Sequence, residues 1–152
     1  QLFLLRYRYI GQGSTMGKKE IADCTVLIVE DDENNRIVIE RLLKIHKVKQ
    51  ENIYVFEKDP LPQMLTLKRN FDIVFLDIQI PDKDGISIFK ELKEDPRFLN
   101  SKIIALTANV MKQDVAQYKS VGFHGFIPKP IDAYSLKDTI TAILDESYIW
   151  QV

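Results

Sequence analysis

The chain has 152 residues, 45% of them hydrophobic and 28% charged, with a formal net charge of −1. That suits one ordinary domain with enough apolar side chain for a core, and the near-neutral balance excludes a nucleic-acid-coating or polybasic membrane-surface protein. A single cysteine, Cys24, excludes an internal disulfide and points to a reducing, cytoplasmic setting, and no apolar run is long enough to cross a bilayer.

Residues 1–19 read as an N-terminal extension: a tag, a linker or a mobile arm. QLFLLRYRYI is apolar and basic, GQGST follows like a linker, and Met16 before GKKE looks like a native start. The bolder reading is an arm that adds a strand to a partner's sheet, because Arg6 and Arg8 alternate with Tyr7 and Tyr9. GQGSTMGKK fails as a phosphate-binding loop, since Gln12 stands where glycine is needed and Lys19 follows Lys18. The folded domain is expected over 20–148.

From Cys24 onward, strand-like and helix-like segments alternate. Val26–Val29, Ile53–Phe56, Ile73–Leu76, Ile103–Leu106 and Gly125–Pro128 are the strand candidates. The third and fourth are nearly continuous apolar runs, as strands covered on both faces are. Apolar stripes at i, i+4, i+7 predict helices through Val38, Leu42 and Ile45, through Met111, Val115 and Tyr118, and through Leu136, Ile140 and Ile143. Asp59-Pro60 reads as an N-cap and first-turn proline of another helix, made irregular by Pro62. Gly85 opens the segment carrying Ile88, Phe89 and Leu92, and EDP at Glu94–Pro96 ends it. Five β-then-α units predict a parallel sheet with helices on both faces, whose ligand site lies beyond the C-terminal strand ends.

Those ends carry chemistry. The first strand runs into Glu30-Asp31-Asp32, the third ends in Asp77, the fourth in Thr107, and Lys129 follows the fifth. Clustered carboxylates repel: two unit charges ~4 Å apart cost about 4 kcal/mol at an effective dielectric near 20. A hard divalent cation removes that cost, and oxygen ligands of this kind suit Mg²⁺. Lys129 and Thr107 make sense if a phosphoryl group also arrives, the ammonium neutralising one oxygen and the hydroxyl donating to another. Asp77 then serves as the nucleophile, with catalysis mostly alignment and charge neutralisation.

With these residues in this order, the sequence resembles the receiver domain of two-component response regulators. VLIVEDDENN looks like the family's first strand and acidic pocket, and FDIVFLDIQIPDKDG like its phosphoacceptor strand and loop. IIALTAN and GFIPKPI resemble its fourth- and fifth-strand motifs. The resemblance spans roughly Cys24 to Glu146. It implies an α/β, flavodoxin-like (βα)5 three-layer sandwich with a five-stranded parallel sheet in the order 2-1-3-4-5.

The resemblance implies Asp77 as phosphoacceptor, with Thr107 and Lys129 as phosphoryl contacts. It makes Glu30 and Asp31 the acidic pair for Mg²⁺, Asp31 binding directly and Glu30 through water, with Asp77 and the backbone carbonyl of Gln79 as further ligands. The Lys129–Pro130 bond would be cis. Thr107 and Phe126 would be the switch pair, although Phe126 lacks the hydroxyl of the tyrosine often found there. Partners would be a histidine kinase or histidine phosphotransfer protein, and a downstream target on the face made by the fourth helix, fifth strand and fifth helix. No nucleic-acid or membrane partner is expected. The chain would not be a dedicated enzyme, though it would catalyse its own phosphotransfer and slow aspartyl-phosphate hydrolysis. It would be a stand-alone regulator, toward which Met16 leans, or a receiver from a larger protein such as a hybrid kinase.

The alternatives are a receiver-like module that binds partners without phosphorylation, a Mg²⁺-dependent phosphatase with an aspartate nucleophile, and a flavin or nucleotide carrier. The phosphatase wants a second Asp where Gln79 stands, and the carrier wants a glycine- or hydroxyl-rich loop where the acids stand. Acids after the first strand could also simply cap a helix. Tyr118 reads as helix packing, and His46 and His124, on no motif position, read as surface residues.

Overall fold

A computed structural model of the chain describes residues 19–151. The readings placed on residues 1–18 lie outside the described residues. Five parallel strands, β1 (Val26–Val29), β2 (Ile53–Phe56), β3 (Ile73–Asp77), β4 (Lys102–Thr107) and β5 (Gly125–Pro128), form one sheet in the order β2-β1-β3-β4-β5. Its α-helices are α1 (Glu33–Ile45), α2 (Gly85–Glu94), α3 (Lys112–Val121) and α4 (Ala133–Leu144). The strands and the fold class match the sequence expectation.

Side chains alternate across the sheet because successive residues of a strand point to opposite faces. Val26, Ile28, Phe75, Ile104 and Ile127 join one cluster with Ile39, Leu42 and Leu43 of α1 and Leu136, Ile140 and Ile143 of α4. Leu27, Val29, Val74, Leu76 and Ile103 join the other, under Ile88, Phe89 and Leu92 of α2 and Tyr118 of α3. Burying one such side chain fully contributes about 1.5–3 kcal/mol. The stripe on α1 is partly the one expected: Leu42 is buried and Val38 packs on the core, but Ile39 and Leu43 complete the buried face, while Ile45 is 73% exposed.

The helix expected after Asp59-Pro60 does not form as an α-helix. Only a 3-10 turn, Leu61–Gln63, follows, with the Asp59 carboxylate accepting from the Leu61 N–H at 3.2 Å. Pro62 has no N–H to extend a helical ladder. The carbonyls of Met64 and Leu67 accept instead from the Arg97 guanidinium. Met64 and Phe71 are buried there, Phe71 stacked on Phe98 with centroids 5.0 Å apart, while Leu65 is 81% exposed. The face expected on the fourth and fifth helices therefore belongs to α3, β5 and α4.

Among the described residues, three of the four α-helix starts are capped by an aspartate, whereas α3, with Met111 at its N-cap, has no side-chain cap. Asp32, Asp84 and Asp132 cap α1, α2 and α4, each carboxylate accepting from the backbone N–H three residues on. Gly85 is required for a different reason. A Cβ there would meet the backbone of Asp77 and lie 2.7 Å from Cα of Ile78. α2 thus starts directly against the end of β3.

Candidate phosphoacceptor site

The strand ends converge as parallel topology demands, and the ends of β1, β3, β4 and β5 supply the site residues. Val29 of β1 and Leu76 of β3 are register partners, so Glu30 and Asp77 emerge side by side. Thr107 pairs with Pro128, and its carbonyl accepts from the Lys129 N–H at 2.9 Å, which ties Lys129 to the end of β4. The Lys129–Pro130 peptide is cis.

Lys129 sits between two buried acids. Its Nζ lies 2.8 Å from Asp77 Oδ2, 2.9 Å from Glu30 Oε2 and 3.1 Å from Glu30 Oε1. Glu30 is fully buried and Asp77 is 1% exposed. Asp77 Oδ1 accepts from the Gln79 N–H at 2.9 Å, which sets the rotamer of the carboxylate, and Glu30 Oε1 accepts from the Asp32 N–H at 3.1 Å. Glu30 Oε2 and Asp77 Oδ2 are within ion-pair distance of the ammonium but outside hydrogen-bond geometry.

The three consecutive acids separate into two roles. Asp32 caps α1, whereas Glu30 and Asp31 join Asp77, each offering an oxygen within 4.8 Å of the others. Arg36 of α1 holds the turn from behind, donating to the Glu30 and Asp31 carbonyls at 3.0 and 2.8 Å and pairing with Glu57 at 3.3 Å. Two buried carboxylate oxygens without a hydrogen-bond donor, beside an exposed third acid, suit a small hard cation such as Mg²⁺.

Burial pushes the Asp77 carboxyl up to about 7, with the Glu30 charge adding, against the Lys129 ammonium and the Gln79 N–H. Burial pulls Lys129 down, but the Asp77 and Glu30 carboxylates outweigh it and hold the ammonium above its usual range. Burial raises the Cys24 thiol to about 12, with Asp72 adding, so Cys24 is no nucleophile.

Thr107 is buried at the end of β4 and is engaged on α3. Its Oγ1 accepts from the Asn109 N–H at 2.9 Å and lies 3.0 Å from the Tyr118 hydroxyl. Phe126 is half-buried on β5, and its ring stacks on Trp150 at 6.0 Å between centroids, while its N–H donates to the Tyr148 hydroxyl at 3.4 Å. Gln79 is exposed, and what ties it to the site is its N–H on Asp77.

Sequence reasoning missed Tyr118, Arg36 and Trp150. Tyr118 had one legible signal, a phenol on an apolar stripe, whose hydroxyl must find a partner once buried. His124 is a correction of another kind. It is half-buried at the foot of β5, its Nδ1 accepting from the Ile103 N–H at 3.0 Å.

The family model described as Response regulator receiver domain matches residues 26–141. The Candida tropicalis protein named Stress response regulator protein 1 is 36% identical over 121 residues, covering 79% of this chain and 44% of that protein. The chain thus spans less than half the length of that relative. Among solved structures, the Vibrio cholerae chemotaxis response regulator CheY4 superposes with a TM-score of 0.68 at 20% identity, over 78% of this chain and 96% of that one. The receiver domain of the Pseudomonas aeruginosa sensor histidine kinase PA1611, solved with a magnesium ion coordinated in its active site cleft, gives 0.66 at 23% identity, over 80% and 98%. At these identities the two structures show the shared fold.

Proposed function

The chain belongs to the response regulator receiver family, and on that premise we propose that it accepts a phosphoryl group from a phosphohistidine onto Asp77 and switches partner binding as a result. The observation that carries this reading is Lys129 Nζ at 2.8 Å from Asp77 Oδ2, with the acid buried and Glu30 at its other side. An ammonium so placed neutralises a phosphoryl oxygen as charge builds.

In the transfer, the donor N–P bond breaks as an Asp77 carboxylate oxygen bonds to phosphorus. The imidazole leaves with the electron pair, neutral because its other ring nitrogen carries the proton. Glu30, Asp31, Asp77 and the Gln79 carbonyl would hold Mg²⁺, which when bound neutralises charge on the phosphoryl oxygens. The Gln79 N–H on Oδ1 orients the nucleophile, Lys129 takes one phosphoryl oxygen, and Thr107 donates its hydroxyl to another. Slow attack of water on the same phosphorus breaks the Asp77 O–P bond, releasing inorganic phosphate and returning the free Asp77 carboxylate.

Receiver domains interact with histidine kinases and downstream targets, and histidine kinases are among the relatives of this chain. The donor is a histidine kinase or phosphotransfer protein, and the target docks on the face of α3, β5 and α4, where Phe126 lies. The working unit is 20–148, with 1–19 an extension, in the cytoplasm. Among the described residues no helix is long and apolar enough to cross a membrane.

Intact-mass measurement after incubation with acetyl phosphate and Mg²⁺ tests the reading. One added phosphoryl is expected on the parent chain and none on Asp77→Asn. Equal labelling of both, or labelling indifferent to Mg²⁺, overturns it.

A further inference from the structure

Thr107 is expected to reach a phosphoryl group, yet its hydroxyl is already engaged elsewhere. Thr107 Oγ1, Tyr118 Oη and the Asn109 carbonyl form a closed triangle: 3.0 Å between the hydroxyls, 3.1 Å from Tyr118 Oη to the carbonyl, and 3.4 Å from Thr107 Oγ1 to the same carbonyl. Two hydroxyl protons serve three edges. The shorter contacts assign the Tyr118 proton to the Asn109 carbonyl and the Thr107 proton to the Tyr118 oxygen. A Thr107 lone pair accepts from the Asn109 N–H at 2.9 Å.

Tyr118 cannot follow Thr107 if Thr107 moves. Its ring is 2% exposed and lies edge-on to Phe123, with centroids 6.2 Å apart. Its carbonyl accepts from the N–H groups of Gly122, in the left-handed conformation that ends α3, and of Phe123. The side chain is therefore anchored from α3, while Thr107 is anchored from the sheet.

We propose that Tyr118 is a positioning residue that holds the Thr107 hydroxyl away from the phosphoryl group and so sets how readily the phosphorylated arrangement forms. The inference rests on the phosphoacceptor reading of Asp77. Thr107 has one proton to donate, and giving it to a phosphoryl oxygen ends its donation to Tyr118. Loss of one neutral hydrogen bond opposes the exchange. In Tyr118→Phe the Thr107 proton keeps only the long contact to the Asn109 carbonyl, so the exchange becomes easier.

The test is calorimetric titration with beryllofluoride at saturating Mg²⁺, a non-covalent stand-in for the phosphoryl group. Tyr118→Phe is expected to bind about fivefold tighter than the parent, the worth of one neutral hydrogen bond. The gain should persist in a Thr107→Ser background, where a hydroxyl remains. It should vanish in Thr107→Ala and in Thr107→Val, two hydroxyl-free backgrounds that guard against one failing to fold. No gain in the parent background, or the same gain without a hydroxyl at 107, overturns the proposal while leaving the phosphoacceptor reading intact. Absence of any beryllofluoride binding by the parent overturns both.

Discussion

Lys129 Nζ stands 2.8 Å from Asp77 Oδ2 and 2.9 Å from Glu30 Oε2, so one cation faces two buried acids. Removing a member of a buried ionic group leaves uncompensated charge, at a cost of about 3–5 kcal/mol. Lys129→Ala is therefore expected to lose about 3 kcal/mol in urea unfolding at neutral pH. Mg²⁺ should stabilise this variant more than the parent, because the cation then supplies the only positive charge in the pocket. Absence of any Mg²⁺ stabilisation in both proteins would show that the acids do not share a metal seat, and equal stabilisation of the two would show that Lys129 and the cation do not compete.

Adjacent acids should separate by function. Asp32 caps α1 through the Asn35 N–H at 3.2 Å, whereas the Asp31 carboxylate faces Glu30 and Asp77. Asp32→Ala should cost ~1 kcal/mol of stability and keep acetyl phosphate labelling. Asp31→Ala, at an exposed position, should leave stability within about 0.5 kcal/mol and raise the Mg²⁺ concentration needed for half-maximal labelling. The reverse assignment of phenotypes would refute the division.

Gly85 allows α2 to start against the end of β3, where a Cβ would fall 2.7 Å from Cα of Ile78. Alanine favours helices by about 1 kcal/mol over glycine, but overpacking costs typically 1–3 kcal/mol, and here the obstacle is backbone. Gly85→Ala should lower stability by roughly 2 kcal/mol and slow labelling, since relief must displace the strand end that carries Asp77. An alanine variant as stable as the parent, with unchanged labelling, would mean the strand end is free to adjust.

Burial, helped by Lys102 and Lys93, holds the His124 imidazole down at about 4, against an ordinary value of 6.5. The unfolded chain therefore binds the proton first as pH falls. The stability this neutral histidine supports is whole above pH 6.5 and is lost between 6.5 and 4, on the order of 2 kcal/mol after allowing for partial exposure to solvent. Urea unfolding of parent and His124→Asn at several pH values tests this. The variant should fall less steeply across that window, and parallel curves would exclude His124.

The strands, the order of motifs and the acids at the strand ends were legible because each leaves a local mark. A buried parallel strand needs an unbroken apolar run, and a capped turn needs its acid. The segment after Pro60 was not legible in the same way. Asp59, Pro60 and the leucines obey helix rules, yet Arg97, far along the chain, takes the carbonyls of Met64 and Leu67. The α1 stripe was legible in part for a related reason: Leu42 is buried and Val38 packs on the core as expected, but Ile39 and Leu43 keep helical spacing too, and the sheet covers them and leaves Ile45 exposed.

The amino-acid order alone determined which strand end would present Glu30, Asp31, Asp77, Thr107 and Lys129, because strand polarity and alternation are local properties of the chain. Only the tertiary structure decided that Asp32 caps while Asp31 faces the pocket, that His124 is half-buried, and that Thr107 is held by Tyr118. Those outcomes depend on where a helix lies against a sheet, and that is set by packing between residues distant in sequence.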